Sequence, residues 1–266
     1  MKMPKIGLGT FRLKEQVVID SVLNGLELGY RHIDTAQIYG NEAEVGRAIK
    51  ESGIPRSELY ITTKIWTSNF SGNQLITSLQ ESLEKLQIER LDMTLIHWPS
   101  PKDEVSVAEY MTALAKAQDQ GLTQEIGVSN FTIAHLRQAI AAVGAGRITN
   151  QQIEIHPFLQ NKRVVAFCQE NQIPVTAYMP LAYGKVMHDP VLQKIADKHA
   201  TTPALISLAW LLQQGFTVIP SSTKREHLAN NLKAADITLS DEEMSAIARL
   251  DINERIANPD FSPNWD

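Results

Sequence analysis

The amino-acid sequence predicts an α/β fold, a (β/α)8 or TIM barrel, in a single domain spanning residues 1–266. Three observations carry that expectation. Short β-rich runs alternate with longer stretches of helical spacing along the whole chain. The alternation gives about eight β–α units in 266 residues, roughly 33 residues each, the size of the repeat in a barrel of about 250 residues. Reactive side chains fall at the ends of the β-rich runs, where such a barrel places its active site. A doubly wound open sheet would alternate in the same way, but its nucleotide-binding form shows G-x-G-x-x-G after the first strand. Here Gly7-Leu8-Gly9-Thr10-Phe11-Arg12 lacks the third glycine, and Gly144-Ala145-Gly146 follows a helix.

Taken in order, a first apolar piece, Ile6 to Phe11, precedes a helical pattern from Gln16 to Leu28 that Gly29 can cap. A strand from Tyr30 to Thr35 follows. Asn41, with Glu44 three positions on, reads as a capping box opening a helix from Glu42 to Glu51, stopped by Gly53 and Pro55. Strand three is LYITTKIW. The helix from Gln74 to Leu86 sets Leu75, Leu79, Leu83 and Leu86 on one stripe. Strand four is LDMTLIHW, and the next units are a helix from Val107 to Gln120, a strand from Glu125 to Ser129 and a helix from Ile133 to Val143. Strand six runs from Ile148 to Ile155, a helix from Val164 to Glu170, and strand seven is IPVTAYM. A single helical pattern from Val191 to Gln213 leads to strand eight, FTVIP. Helices from Glu226 to Ala234 and from Glu242 to Leu250 precede a tail rich in Pro and Asn.

Composition narrows the function classes. With 43% hydrophobic and 21% charged residues the chain can bury a large core and is not disordered. A net charge of −5 argues against a broad basic face, so no nucleic-acid or membrane partner is expected. One cysteine, Cys168, cannot form an intrachain disulfide and suits a reducing compartment. The N-terminus lacks the apolar core of a signal peptide, and no apolar run approaches the ~20 residues of a membrane span. A cytoplasmic monomer is expected.

At the strand ends stand Asp34, Lys64, His97 and Trp98, Ser129 and Asn130, Gln152 and Glu154, Tyr178, and Ser221 and Ser222. A lone Asp reads as a helix cap and a lone His as a satisfied core side chain; their recurrence in unit after unit is what points to a site. Lys64, flanked by Ile61, Ile65 and Trp66, and Asp34, following Ile33, each need a partner if buried, and a barrel mouth can make them partners of one another. Tyr39, five residues past Asp34, lies within reach as a proton donor. A free phenol, with a pKa of ~10, is a poor acid at neutral pH, and a neighbouring Lys64 cation is expected to lower that value. Asp34 would hold Lys64, and a neutral His97 would orient a substrate oxygen. Such a group can protonate an alkoxide forming on a carbonyl carbon. It holds no obvious nucleophile, so the electrons should arrive as hydride. Thr223-Lys224-Arg225-Glu226 reads as a second capping box whose first turn carries two cations, an anion site for a nucleotide phosphate, although a capped surface helix with solvated charges fits equally. Tyr178 offers a flat face for a nicotinamide ring, although taken singly it reads as a core aromatic.

The segments GLGTFRL, GYRHIDTAQIYGNEAEVG, LYITTKIW, LIHWPSP, EIGVSNF, NQQIEIHP, VTAYMPLAYG and VIPSSTKREHLANNLK resemble the aldo-keto reductases, over essentially the whole length. That resemblance implies metal-free, NADPH-dependent reduction of aldehydes or ketones on a (β/α)8 barrel, with Asp34, Tyr39, Lys64 and His97 as catalytic tetrad. It implies that Ser129, Asn130 and Gln152 hold the nicotinamide carboxamide, that Tyr178 stacks on the ring and that Leu181 lies over the pyrophosphate. Thr10 and Phe11 match the cofactor- and substrate-facing end of strand one, and Trp98 an aromatic wall of the substrate pocket. The chain departs from its relatives around the adenosine phosphate. Ser221 replaces a frequent lysine and His227 a frequent arginine, while Asn231 is retained; Lys224 and Arg225 can replace the lost cations, with Ser221, Ser222 and Thr223 beside them as cofactor-binding candidates and NADPH expected over NADH. The loop SPKDEVS and the tail from Ile256 to Asp266 are short, so an open pocket for small α-dicarbonyl or keto-sugar-acid substrates is expected. Two other readings are a cofactor-binding module without catalysis and a metal-dependent hydrolase drawing on Asp34, His97, Glu154 and His156. The second lacks H-x-H or H-E-x-x-H spacing, and Lys64 would repel the ion.

Overall fold

A computed structural model describes all 266 residues. Eight strands form one parallel sheet in chain order: β1 (Leu8–Gly9), β2 (His32–Asp34), β3 (Tyr60–Ile65), β4 (Leu91–Ile96), β5 (Thr123–Ser129), β6 (Ile148–Glu154), β7 (Val175–Tyr178) and β8 (Thr217–Val218). The sheet curls until its ends meet. Ile6 bridges Val218 in parallel, Gly7 N–H donates to the Val218 carbonyl at 2.8 Å and Gly9 N–H to the Pro220 carbonyl at 3.1 Å, which makes the (β/α)8 barrel expected from the sequence. The approach at this seam is too close for a side chain: a Cβ on Gly9 would lie 2.7 Å from the Ile219 carbonyl oxygen.

The helices between strands cover the barrel. They are α1 (Glu15–Leu28), α2 (Glu42–Glu51), α3 (Gln74–Leu86), α4 (Val107–Asp119), α5 (Ile133–Val143) and α6 (Lys162–Glu170), then α7 (Pro190–Lys198) and α8 (Pro203–Gln213), and finally α9 (Arg225–Leu232) and α10 (Asp241–Ala248). α1 shows how they dock. Val18, Ile19, Val22 and Leu26 recur at helical spacing and are buried, each worth roughly 1.5–3 kcal/mol relative to exposure. Gly29 then ends the helix in the left-handed region, at φ 108°. With helices outside and packed side chains inside, all six residues of β3 are buried, as a strand covered on both faces requires.

Inside the barrel, side chains stack in layers. At the N-terminal end Tyr60 donates to Glu125 beneath Met93 and Leu95. Above them His32 Nε2 lies 3.1 Å from Thr62 and Asn150 donates to Thr176 at 3.0 Å. Asp34, Lys64 and Gln152 form the layer at the C-terminal mouth. Cys168 is on α6, buried away from that mouth, and burial pushes its thiol up to about 12.

Three local expectations fail. The pattern from Val191 to Gln213 is two helices, because the chain turns through Ala200 at φ 48° and restarts with Thr202 accepting from Leu205 N–H ahead of Pro203. Asn41 precedes α2 but does not cap it: its carboxamide accepts from Thr35 and donates to the carbonyls of Thr10 and Leu13. Thr223 is not a cap either, since α9 begins one residue later than its reading required, with Lys224 at the N-cap and no side chain closing the turn. A capping box does exist at α10, where Ser240 accepts from Glu243 N–H and Glu243 from Ser240 N–H.

Glu243 also ties α10 to α7 through Lys198 and His199, 2.8 and 2.9 Å away. Burial pushes its carboxyl upward, but the bonds from Lys198, His199 and the Ser240 main chain outweigh it and hold the pKa down at about 2. A depressed carboxylate stabilises the fold above its ordinary range and loses that contribution as the pH falls. Glu243→Gln should therefore cost about 1–2 kcal/mol in urea unfolding at pH 7, with the difference from wild type shrinking between about pH 4.5 and 2. A difference independent of pH would contradict this account.

Candidate active site at the barrel mouth

The mouth is built around a buried ion pair. Lys64 lies one residue before the end of β3 and Asp34 ends β2, and each is 1% exposed. Lys64 Nζ donates to Asp34 Oδ1 and, at 2.8 Å, to the Thr35 carbonyl. The second Asp34 oxygen accepts from Gln152 Nε2 at 2.8 Å, and the Asp34 carbonyl accepts from the Thr10 hydroxyl at 3.0 Å. Burial lowers the Lys64 pKa, and the Asp34 charge opposes that shift.

Tyr39 is brought to this pair by a turn. Residues Gln37–Tyr39 form a single 3-10 turn closed by Gly40 in the left-handed region at φ 62°. Gln37 fixes the turn from the side of β3, accepting from Trp66 N–H at 2.8 Å and donating to Ser78 on α3. Lys14 donates to the Tyr39 carbonyl. The Tyr39 hydroxyl then lies 3.4 Å from Lys64 Nζ, with its ring 5.1 Å from Phe11 and 5.7 Å from His97, edge-on to the latter.

The titration of Tyr39 departs from the sequence reading. Burial first, and then the Asp34 charge, raise the phenol well above its ordinary value. Lys64, whose ammonium is shared with Asp34, does not outweigh them. The hydroxyl thus stays protonated, with a cation beside it that would favour the phenolate only as a proton leaves. His97 goes the other way: burial, and then Lys64, push it well below the usual imidazole range, so the ring is neutral near pH 7.

The expected nicotinamide-side residues lie next to one another. Ser129 donates to the Gln152 carbonyl at 2.8 Å, Asn130 to the His97 carbonyl at 3.0 Å, and Tyr178 to Asn130 Oδ1 at 2.7 Å. Asn130 holds the left-handed region at φ 60°, which asparagine tolerates. With Gln152 Nε2 spent on Asp34, its Oε1 remains as an acceptor. Leu181 packs against the core ahead of Ala182 and Tyr183, both left-handed. Beyond β8, Ser221 and Thr223 are exposed, and Ser222 Oγ accepts from Lys224 N–H. Lys224 makes no ion pair, whereas Arg225 is paired with Glu27 on α1 at 2.7 Å. Asn231 is buried on α9, where the Tyr30 hydroxyl donates to the Leu228 carbonyl at 2.9 Å. The uncapped first turn of α9 beside an unpaired lysine suits a phosphate.

The short tail does not stand clear of the mouth. Phe261 packs against Trp66 and Trp98 at 5.8 and 5.5 Å, and Trp265 against Trp98 at 6.0 Å, so the tail supplies part of the aromatic wall and leaves Trp98 only 6% exposed. The aromatics of FSPNWD, set in a polar tail, were the available signal. Asp34, His97, Glu154 and His156 do not converge as a ligand set; Asp34 faces Lys64 and Gln152, whereas Glu154 faces His156 and the tail.

A parallel barrel with a buried Lys, a protonated Tyr and a neutral His at its C-terminal mouth is the architecture of an oxidoreductase acting on carbonyl groups. Residues 5–252 match the aldo/keto reductase family, and the chain belongs to that family. Membership makes it a carbonyl-reducing enzyme that uses a nicotinamide cofactor. The chain is 59% identical to the methylglyoxal reductase DkgB of Escherichia coli O157:H7, with all of both chains covered. It is 40% identical to the methylglyoxal reductase DkgA of Salmonella typhimurium, over 97% of this chain and 94% of that one. A crystal structure of a candidate 2,5-diketo-D-gluconic acid reductase B superposes with a TM-score of 0.96 at 39% identity, covering 99% and 94% of the two chains. No helix is long and apolar enough to cross a membrane.

Lys64→Met should destabilise the fold by about 3–5 kcal/mol in chemical denaturation, because it leaves Asp34 buried without its counterion. Adding Asp34→Leu should recover much of that loss; a double variant no more stable than the single one would argue against the pair as the cause.

Proposed function

We propose that this chain reduces small aldehydes and ketones with NADPH, taking α-dicarbonyls such as methylglyoxal and keto-sugar acids such as 2,5-diketo-D-gluconate, which would yield 2-keto-L-gulonate. The observation that carries the reading is the Tyr39 hydroxyl, held protonated 3.4 Å from a buried Lys64 and beside a neutral His97. When bound, reduced nicotinamide supplies the hydride. Ser129, Asn130 and Gln152 would hold its carboxamide, Tyr178 would stack on the ring, and Thr10 and Leu181 would line the cofactor's path. Ser221, Ser222, Thr223, Lys224, Arg225 and Asn231 would surround the adenosine end.

The chemistry of the chain's own residues is set by their charges. A carbonyl oxygen beside Tyr39 and His97 gains electron density as its carbon gains hydride. Tyr39 gives that oxygen its proton, and the alkoxide becomes the alcohol. Lys64 lowers the cost of the resulting phenolate, a contribution felt only once charge has moved and therefore in the transition state. Asp34 keeps Lys64 charged and fixed. Phe11 and Trp98 exclude water around the reacting carbonyl. Solvent then restores the Tyr39 proton.

Two measurements test this reading. Tyr39→Phe should lower kcat for methylglyoxal by about 10²–10⁴ and leave the calorimetric Kd for NADPH within about twofold. A variant that keeps most of its rate removes Tyr39 from the role. Lys224→Ala should raise KM for NADPH about tenfold or more with little change for NADH, whereas Arg225→Ala, already paired with Glu27, should do less. Equal effects on both coenzymes would place the phosphate elsewhere.

A further inference from the structure

Glu154 closes β6 with its side chain fully buried, and the chemistry of Tyr39 and Lys64 makes no use of it. A buried ionised carboxylate is costly unless its oxygens are bonded, and only part of its bonding comes from the barrel. His156 Nε2 lies 2.9 Å from Oε1. The other donors belong to the tail: Ile256 N–H reaches Oε1 at 2.8 Å and Ala257 N–H reaches Oε2 at 2.7 Å. Glu154 therefore grips the chain by its main chain, independently of which side chains the tail carries. Asn161 strengthens the same junction, donating to the Glu154 carbonyl at 2.7 Å and accepting from Arg255 at 2.9 Å.

Beyond the gripped residues the tail builds the aromatic wall. Phe261 lies four residues past Ala257 and meets Trp66 and Trp98; Trp66 in turn packs on His97 at 5.3 Å. Trp265 meets Trp98, and its ring carries the Arg255 guanidinium at 3.6 Å. We propose that Glu154 is a positioning residue whose carboxylate clamps the tail across the barrel mouth and so sets the reach of the substrate pocket beyond His97. This rests on the proposed site of reduction at Tyr39 and His97. It assigns the clamp a selective effect. A dicarbonyl as small as methylglyoxal is held by the groups around Tyr39, whereas an aromatic aldehyde extends to Phe261 and Trp98 and depends on where the tail stands.

The test uses the full-length enzyme with Glu154→Gln and, as a second variant that leaves the barrel's residues unchanged, Ala257→Pro, which removes the tail's donor to Oε2 and restricts the main chain at that point. With 4-nitrobenzaldehyde, KM should rise about tenfold in both variants and kcat stay within about twofold, while kcat/KM for methylglyoxal stays within about twofold. Phe261→Ala should reproduce the effect, and combining it with Glu154→Gln should add little, since both act through one wall. Independently of turnover, limited trypsin digestion should cut after Arg255 at least about tenfold faster in both clamp variants, with the rest of the chain as resistant as wild type. The proposal is overturned if Arg255 stays as protected as in wild type, or if the two substrates are impaired alike. If wild type reduces neither aldehyde, the reading of the reaction fails instead, and the digestion alone decides the clamp.

Discussion

Burying the ammonium of Lys64 inside a barrel of apolar strands is the constraint that dictates the arrangement of the mouth. A lysine there would lose its charge unless a carboxylate met it, and Asp34 on the neighbouring strand meets it. The carboxylate has a second oxygen to satisfy, and Gln152 reaches across the barrel to do so. The main-chain carbonyl of Gln152 in turn accepts from Ser129, beside Asn130 and Tyr178. A chain of obligations to bond thus runs from one charge through β2, β3 and β6 to the side expected to receive the nicotinamide.

The proton donor is placed by other means. Tyr39 is not on a strand, and a residue on a free loop would reach Lys64 only part of the time. Here the turn is pinned through Gln37 to the segment after β3 and to α3, and through Asn41 to the loop after β1. Asn41 gives up its role as a cap to make that tie, and its carboxamide instead holds two loops at the mouth together.

Much of this was legible before any coordinates. Strands covered on both faces leave apolar runs, and surface helices leave stripes, so the alternation that defines the barrel survives in the residues themselves. Asp34 and Lys64 announced each other because a charge inside an apolar run demands a partner. The breaks were of another kind. Pro203, a usual first residue of a helix, stood in plain view inside the pattern from Val191 to Gln213, yet the continuous apolar spacing masked it. The fate of Asn41 depended on carbonyls 28 and 31 residues away. The sign of the Tyr39 shift depended on how completely burial and Asp34 outweigh a neighbouring cation, a balance that distance along the chain does not reveal. Glu154 was visible as a strand-end carboxylate, but its partners in the tail are main-chain groups, which carry no signature of residue type.

The aromatic wall has an optical consequence. The chain has four tryptophans; Trp66, Trp98 and Trp265 stand together at the mouth, and Trp210 is buried in α8. Intrinsic emission of this protein is therefore weighted toward one end of the barrel, and in particular toward the place where tail and strands touch. With a guanidinium lying on one of those indoles, the molecule carries its own spectroscopic gauge of the mouth, without a label and without any change to its sequence.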